Sequence, residues 1–419
     1  MELMNNYKET ILIVDLDAKQ CDTESLSEDM VAAGLGGAGI TTALYEQYKD
    51  RDPLIIGTGF FTGTFMPGGC AGVVSAKSPV TGKLCHVPFG GYAAVELKLT
   101  GFDFVVVLGS SDSPVRLWLH DGLSDLDDAA DIWGKDVWDS VDKIREAYGD
   151  EMIQLLVIGP AAEAQSKASQ FSVNYWGSFD KSALGAVFGA KKLKAIALRG
   201  LDSLDVAEGF FGACVDLKNA ICAGAISGKY GLKDIAKDIG IDAGAIEKLA
   251  SMTHRNNAAY NCPYAAAAFV KYNEAPTAVD MKGHPAPGCL ITDIQGFAAL
   301  HGAGLDAGQA MEQCFRQGIE PEAAAKAGKT DGVSADAGKA GAFSTAVPVS
   351  IFGSGQGDAG WQKRQALAAV LGIDPMLMVM APEITEAKIV ELVQMSAEWD
   401  DFSAEELDRI ASAVIAKSA

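Results

Sequence analysis

The chain has 419 residues and a mass of 43.8 kDa, which is more than one hydrophobic core usually holds and predicts two or three domains. Hydrophobic residues make up 49% and charged residues 21%, a composition typical of a folded globular protein and not of a disordered one. A net charge of −21 would repel phosphate backbones and anionic membranes. We therefore expect neither a nucleic-acid partner nor a membrane partner.

The first 200 residues carry most of the strand patterns, which are short β-branched runs or apolar–polar alternations. They are Ile11 to Leu16, Val95 to Leu99, Phe104 to Leu108, Val115 to His120 and Leu155 to Ile158. Glycine-rich segments separate them, and such segments allow sharp turns or the close approach of backbone to a ligand. This half is predicted to be β-rich.

Beyond residue 203 the sequence becomes alanine-rich with helical periodicity. Residues 321–341 are low in complexity and nearly free of large apolar side chains, which favours a linker. Further on, Ser403 and Glu406 form a capping box ahead of a last helix. We predict a β-rich domain at 1–202, a helical domain at 203–320, a linker at 321–349 and a helical segment at 350–419.

The segment Gly34-Leu-Gly-Gly-Ala-Gly39 matches the dinucleotide-binding pattern G-x-G-x-x-G. That pattern has mechanical meaning only where a strand runs directly into it. Here Ser25 to Ala33 predicts a capped amphipathic helix instead. A dinucleotide site is therefore disfavoured, and the glycines are predicted to join two helices.

The eight cysteines and five histidines show no pair at a spacing that would present two ligands from one turn, so no metal site is predicted. Neither a G-x-S-x-G elbow nor a phosphate-binding G-x-x-x-x-G-K-[ST] loop occurs. The N-terminal residues lack a basic segment followed by an apolar one. The sequence predicts a cytoplasmic protein with reduced, buried thiols, and these patterns alone leave its function open.

Many short stretches, taken in order, resemble the tungsten-containing aldehyde:ferredoxin oxidoreductase family. Over the first 200 residues they are Ile11–Leu16, Leu35–Gly39, Thr62–Thr64, Lys77–Gly82, Gly90–Gly91, Glu96–Lys98, Trp133–Lys135, Ile158–Ala161, Leu184–Val187 and Leu193–Ile196. The resemblance implies an α+β fold in which a β-sandwich-like cofactor-binding domain precedes a mostly α-helical region. It also implies a bis-pyranopterin cofactor that carries tungsten or molybdenum.

The resemblance places candidate cofactor-binding residues in or beside these stretches, and in a weaker match at Gly304-Leu-Asp306, whereas it leaves the catalytic residues unknown. The candidates are Gly36, Gly37, Gly39, Thr62, Gly63, Thr64, Lys77, Ser78, Gly90, Gly91, Lys181, Ala183, Gly185, Gly304, Leu305 and Asp306.

The chain departs from the family at its [4Fe–4S] ligands. The family uses a Cys-Pro-x-Cys-x-x-x-Cys run and a distant cysteine. Here Cys262 is retained, but Ala265 and Phe269 stand at the second and third positions and Asp374 at the fourth. We therefore expect no [4Fe–4S] cluster and a reduced thiol at Cys262. The family's acid/base glutamate corresponds to Pro287 within Ala286-Pro287-Gly288, so the proton relay is also expected to be lost.

Phosphate partners of the pterin are altered as well. Ala38 and Ala71 stand where the family has arginine, and Lys181 alone keeps a positive charge at a third such position. Phosphate leaving water needs cationic or backbone N–H partners. The retained glycine loops favour pterin binding and the lost arginines argue against it, so the sequence leaves the cofactor open.

Three functions follow from these departures. The first is a divergent paralogue that carries a cofactor or acts as an accessory subunit. The second is an active oxidoreductase of aldehydes or oxo groups whose electrons pass through a partner chain. The third is a structural partner without cofactor. In each, the expected partner is a homologous subunit or a second copy of this chain, and the redox partner is unknown.

Overall fold

The computed structural model describes residues 6–204, 207–271, 288–343 and 357–418. Its N-terminal half contains two six-stranded mixed sheets, and its C-terminal half is mostly helical with one small sheet, which confirms the predicted α+β class. The helices within these ranges include none that is long and apolar enough to cross a membrane.

The first sheet has the strand order β2-β1-β6-β3-β4-β5, in which β1 and β6 are parallel and every other pair is antiparallel. Its strands are β1 (Thr10–Asp15), β2 (Gln20–Ser25), β3 (Leu54–Thr58), β4 (Gly72–Lys77), β5 (Leu84–Phe89) and β6 (Phe104–Leu108). The edge strand β2 is polar and mostly exposed, so no hydrophobic alternation marks it in the sequence.

The second sheet has the order β11-β10-β9-β12-β7-β8, with β7 and β12 parallel. Its strands are β7 (Val115–His120), β8 (Leu123–Asp128), β9 (Gln154–Ile158), β10 (Phe171–Val173), β11 (Trp176–Gly177) and β12 (Leu193–Arg199). Side chains from the facing sides of both sheets, such as Val105 and Leu117, form one buried cluster between them. This shared core makes the N-terminal half a sandwich.

Helices pack on the outside of the sandwich and into the core between its sheets. In chain order they are α1 (Glu28–Gly34), α2 (Gly37–Tyr48), a 3₁₀ turn (Lys49–Arg51), α3 (Ala93–Leu99), α4 (Val137–Tyr148), α5 (Pro160–Glu163) and α6 (Leu184–Ala190). Residues of α3 and α6 join the core between the sheets, whereas α4 packs on the outer side of the second sheet.

Residues Val95 to Leu99 are helical, so the strand predicted there is wrong. The alternation was misleading because Lys98, a polar residue that would face solvent in a half-buried strand, is fully buried in α3. Its ammonium donates to the carbonyl oxygen of Asn6 and lies 3.9 Å from the carboxylate of Asp103. Long-range partners thus allow a lysine on the inner face of a helix.

The second half contains a small antiparallel sheet, β13 (Thr253–Asn257), β14 (Ala267–Lys271) and β15 (Gly288–Ile291), with β14 in the middle. Its helices are α7 (Phe210–Ala223), α8 (Leu232–Asp238), α9 (Ala243–Met252), α10 (Ile294–Gly302), α11 (Ala307–Gln317), α12 (Pro321–Ala327), α13 (Gly357–Leu371), α14 (Pro375–Met380), α15 (Glu386–Ala397) and α16 (Ala404–Ser418). The Ser403 hydroxyl accepts from the N–H of Glu406, which confirms the predicted cap of α16.

The predicted linker begins as a helix. In α12 the side chains of Pro321, Ala323 and Ala324 are buried, and the helix packs against α10. The carboxylate of Glu320 accepts from the N–H groups of Glu322 and Ala323 and so caps the helix. Composition missed this segment because its buried face consists of small residues rather than large apolar ones. Residues 344–349 of the predicted linker lie outside the described residues.

Candidate functional site

The first glycine loop, Gly36 to Gly39, joins α1 to α2, as the helix–helix prediction has it. It packs directly on the end of α13. A methyl group added at Gly37, where φ is +39°, would lie 1.8 Å from the carbonyl oxygen of Ala369. At Gly39 the added carbon would lie 1.9 Å from the carbonyl oxygen of Gly34. These glycines are therefore used for close contact between segments of this chain's own backbone.

The second loop, 59–64, contacts the same end of α13. The N–H groups of Phe60 and Phe61 donate to the carbonyl oxygens of Val370 and Leu371, at 3.2 and 2.8 Å. The hydroxyl of Thr62 donates to the carbonyl oxygen of Ala71 at 2.5 Å. We call this contact of loops 36–39 and 59–64 with residues 369–372 the α13 junction. Within the loop, Gly63 and Thr64 border a separate cavity of about 320 Å³.

The candidates near α6 are also engaged within the chain. Ser78 donates to the carbonyl oxygen of Ser182, whereas Lys77 is exposed. The carboxylate of Asp180 accepts from the N–H groups of Ser182 and Gly185, at 3.0 and 2.8 Å. Burial raises the pKa of Asp180 to about 6. An internal carboxylate thus takes the backbone donors on either side of the candidate Ala183, which a phosphate would otherwise need.

Lys181 lies in a buried acidic cluster. Its ammonium donates to the carboxylate of Glu322 at 2.9 Å, and Asp293 and Glu320 lie close by. Burial opposes the charged ammonium, but the three carboxylates more than offset it and raise the pKa of Lys181. The last candidates, Gly304, Leu305 and Asp306, connect α10 to α11 in the helical region, where Gly304 and Asp306 are exposed.

The third glycine loop borders a cavity of about 310 Å³ at the boundary between the sandwich and the helical half. Gly90 and Gly91 follow β5, and the N–H of Tyr260 donates to the carbonyl oxygen of Gly91 at 3.4 Å. The remaining walls include the end of β10 with β11, one end of the small sheet with the segment up to Cys262, and the start of α14. Of the sixteen candidate residues, Gly90 and Gly91 line this cavity.

Two of the four cluster positions, Cys262 and Asp374, line the cavity, whereas Ala265 and Phe269 do not. The Asp374 carboxylate accepts from the N–H of Leu377 at 2.8 Å and caps α14. Phe269 is buried in β14, where its ring lies against Gly288. Burial and the nearby Asp374 raise the pKa of the Cys262 thiol.

All eight cysteines are free. Over the described ranges, no three His, Cys, Asp or Glu side chains are grouped so as to hold a metal ion. Ala286 and Pro287 lie outside those ranges.

The cavity wall contains residues that the sequence patterns did not indicate. Several are aromatic or apolar: Phe89, Tyr92, Trp176, Phe179, Leu290 and Met376. Others are polar, and two of these, Asn257 and Thr292, have buried side-chain oxygens without a hydrogen-bond partner among the described residues. These eight residues come from five separate parts of the chain, so no local motif joins them.

The two-sheet sandwich is the part of this chain that matches a known protein family. Residues 11–200 match the family described as aldehyde ferredoxin oxidoreductase, N-terminal domain. Residues 11–200 thus correspond to the N-terminal domain of that family, which confirms the resemblance over this part of the chain.

Two curated relatives illustrate the match. The tungsten-containing aldehyde ferredoxin oxidoreductase of Pyrococcus abyssi is 36% identical over 213 residues, which are 49% of this chain and 35% of the relative. The aliphatic sulfonate oxidoreductase, WOR-like subunit, of Pyrococcus furiosus is 28% identical over 220 residues, or 47% of this chain and 35% of the relative. The match thus spans about a third of each relative's length.

The fold also resembles a solved structure, the active-site complex BamBC of benzoyl coenzyme A reductase in complex with 1,5-dienoyl-CoA. The TM-score is 0.65 at 20% sequence identity, over 77% of this chain and 55% of that one. At this identity the likeness concerns the fold alone, and it extends beyond the N-terminal domain.

The tungsten pterin that the family implies can be tested against the residues present. Its phosphates need cationic or free backbone partners. The described lining of the cavity contains neither lysine nor arginine. Lys181 is paired with Glu322, and the loops at 36–39 and 59–62 are filled by residues 369–372. The described residues therefore do not fit a phosphate-bearing bis-pyranopterin held by these loops.

Proposed function

We propose that this chain is an accessory subunit of an aldehyde ferredoxin oxidoreductase-like assembly and does not oxidise aldehydes by itself. The observation that carries the proposal is at the family's cluster positions. Ala265 and Phe269 offer no ligand atom, and Asp374 uses its carboxylate to cap α14. With one thiolate out of four, a normal [4Fe–4S] cluster has no means of attachment. Electrons leaving a catalytic metal would then have no nearby acceptor.

The proton relay supports the same proposal. By the resemblance, Pro287 stands at the position of the family's acid/base glutamate, and proline has no titratable group. A general acid or base typically contributes about 10²–10⁴-fold to a rate. The loss of that group and of the cluster route would leave aldehyde oxidation absent or very weak.

The expected partner is a homologous catalytic subunit. One relative is named as a subunit, and the solved structure with a similar fold is named as an active-site complex of benzoyl coenzyme A reductase. The retained sandwich supports this assignment, because a preserved fold whose catalytic features have been replaced still offers the family's surface for assembly. A second copy of this chain is the alternative partner.

Metal analysis of anaerobically purified protein tests the proposal. We expect iron and acid-labile sulfide far below four per chain, and no reduction of benzyl viologen with simple aldehydes. Iron and sulfide near four per chain, with viologen reduction, would instead support an active oxidoreductase. Tungsten or molybdenum without iron would identify a cofactor carrier and contradict our fit of the pterin.

Co-purification tests the partner. The tagged chain is expressed beside a full-length homologue from the same source, and an unrelated tagged protein of similar acidity is the control, because a charge of −21 attracts basic proteins nonspecifically. We expect the homologue to be retained in a fixed ratio at 0.5 M salt. Its loss at that salt concentration would contradict a specific assembly.

A further inference from the structure

The 310 Å³ cavity has a volume and lining suited to a small flat molecule. Its walls carry the rings of Phe89, Tyr92, Trp176 and Phe179, with Leu290 and Met376 beside them. Aromatic walls favour flat apolar ligands, which gain from stacking and edge-to-face contact. The volume is at the lower end of the range for small-molecule sites.

Most polar groups on the wall are already used within the chain. The Gln154 side-chain oxygen accepts from the Asn174 amide at 2.9 Å, and the hydroxyl of Ser178 donates to the carbonyl oxygen of Phe171 at 2.7 Å. Asn257 Oδ1 and Thr292 Oγ1 are the exceptions, because they are buried and have no partner among the described residues. Such atoms are rare in folded proteins and call for a specific explanation.

Sheet geometry places these two residues on the same face of the small sheet. Asn257 pairs with Ala267 across β13 and β14, and Ala268 pairs with Ile291 across β14 and β15. Continuing that register by one residue puts Thr292 opposite Ala267. Directly paired residues share a face, and neighbouring strands are about 4.8 Å apart. Asn257 and Thr292 thus flank the small side chain of Ala267, roughly 10 Å apart at the backbone.

The charge of the wall selects against anions. Among the described lining residues there is one carboxyl group, Asp374, and no cationic side chain. A carboxylate, phosphate or sulfonate entering the cavity would lose its hydration without gaining a counter-ion. The unpartnered atoms are a carbonyl-type acceptor and a hydroxyl, so a ligand gains most by donating hydrogen bonds.

We propose that this cavity binds a small, uncharged aromatic compound with an N–H or O–H donor, lying over Ala267 between Asn257 and Thr292. The inference goes beyond the proposed accessory role and does not rest on it. Binding of a neutral compound is measured on the purified chain without metal or partner. Failure of one proposal therefore leaves the other standing.

The test is a titration of the purified chain with benzamide, benzyl alcohol and indole, and with benzoate as the charged match for benzamide. Binding is followed by protein-observed NMR and by the rise in the thermal unfolding midpoint. We expect at least one neutral compound to bind, and benzoate to bind at least about tenfold more weakly than benzamide. Absence of binding by all three neutral compounds, or equal binding of benzoate and benzamide, would overturn the proposal.

Two variants locate the site. Ala267→Leu places a larger side chain between the two oxygens and should abolish binding, whereas Thr292→Val should weaken it about five- to tenfold. Ser172→Ala is the matched control, because Ser172 Oγ is also buried without a partner but does not line the cavity. Far-UV circular dichroism and thermal unfolding without ligand confirm that each variant is folded. Binding that persists unchanged in a folded Ala267→Leu variant would refute the assigned position.

Discussion

The α13 junction and the 310 Å³ cavity are both rich in glycine and alanine, and both lie where the sandwich meets the helical half. At the junction, backbone atoms of residues 369–372 fill the space that the glycines leave. At the cavity, a methyl carbon added at Gly90 would have its nearest neighbouring atom 4.0 Å away, and one added at Gly91 would have none within 4 Å. Glycine in a sequence thus indicates room for a close approach, but it does not say whether a ligand or the chain itself approaches.

The two regions are joined along the chain. Leu371 and Gly372 close the junction, and Asp374, Pro375 and Met376 line the cavity directly afterwards. The N–H of Asp374 donates to the carbonyl oxygen of Gly68 at 2.8 Å. Packing at the junction therefore positions one wall of the cavity.

The largest expected effect is on the free energy of unfolding, when a methyl group is added at a glycine of the α13 junction and, for comparison, at a glycine of the cavity. Gly37→Ala places a carbon 1.8 Å from the carbonyl oxygen of Ala369 at a positive φ, so we expect a loss of about 4 kcal/mol or more, or a failure to fold. Gly90→Ala, at an open position without a positive φ, should change the free energy of unfolding by less than about 0.5 kcal/mol. Urea unfolding measures both, and equal losses would contradict the contrast between the two regions.

A pH titration of protein stability tests the buried His86, which lies on β5 just before the Gly90–Gly91 loop. The buried imidazole of His86 contacts the hydroxyl oxygens of Ser75 and Ser418 at 2.8 and 2.9 Å, and burial lowers its pKa to about 3. The unfolded chain, with an ordinary histidine pKa of about 6.5, binds more protons between pH 6.5 and 3. Stability should therefore fall as the pH drops through this range, by roughly 1.4 kcal/mol per unit below pH 6.

The measured quantity is the difference in pH slope between wild type and His86→Gln. Burial raises the pKa of Asp103 and Asp180 to about 6, and these carboxyls change stability in the opposite direction over the same range. Their contribution is common to both proteins and cancels. Identical slopes in the two proteins would show that His86 does not titrate as its burial requires.

A smaller effect is expected where the junction meets the cavity. Asp374→Ala removes the carboxylate that accepts from the N–H of Leu377, and loss of such a cap costs about 1 kcal/mol. Asp374→Asn keeps an oxygen acceptor and should retain most of the stability. Thermal unfolding of the two variants gives the comparison, and an equal loss in both would rule out capping as the role of Asp374.

The reactivity of the cysteines can be measured on the wild-type chain, so this test perturbs the structure least. Burial raises the pKa of the Cys262 thiol, whereas Cys222 on α7 is exposed. With iodoacetamide at pH 8, Cys262 should react at least about tenfold more slowly than Cys222, since the thiolate is the reactive form. Peptide mass spectrometry follows both sites. Equal rates would indicate that the cavity leaves Cys262 open to solvent and ionised.

Several features follow from the sequence because they depend on neighbouring residues. The β-branched run Phe104–Leu108 forms β6, and Ser403 caps α16. The family resemblance over the N-terminal domain likewise needed only the order of short motifs. The separation of a β-rich half from a helical half is visible in composition alone.

Long-range contacts decided the rest. Lys98 is buried on the inner face of α3 because Asp103 and Asn6 contact its ammonium. The strand predicted at Val95 to Leu99 was wrong because the sequence pattern did not show these contacts. The glycine loops allow close approach of the backbone, but residues more than 300 positions away fill two of them and leave the third open. Sequence patterns report what a segment's own backbone and side chains allow, whereas the occupant of the space beside it depends on which distant segment packs there.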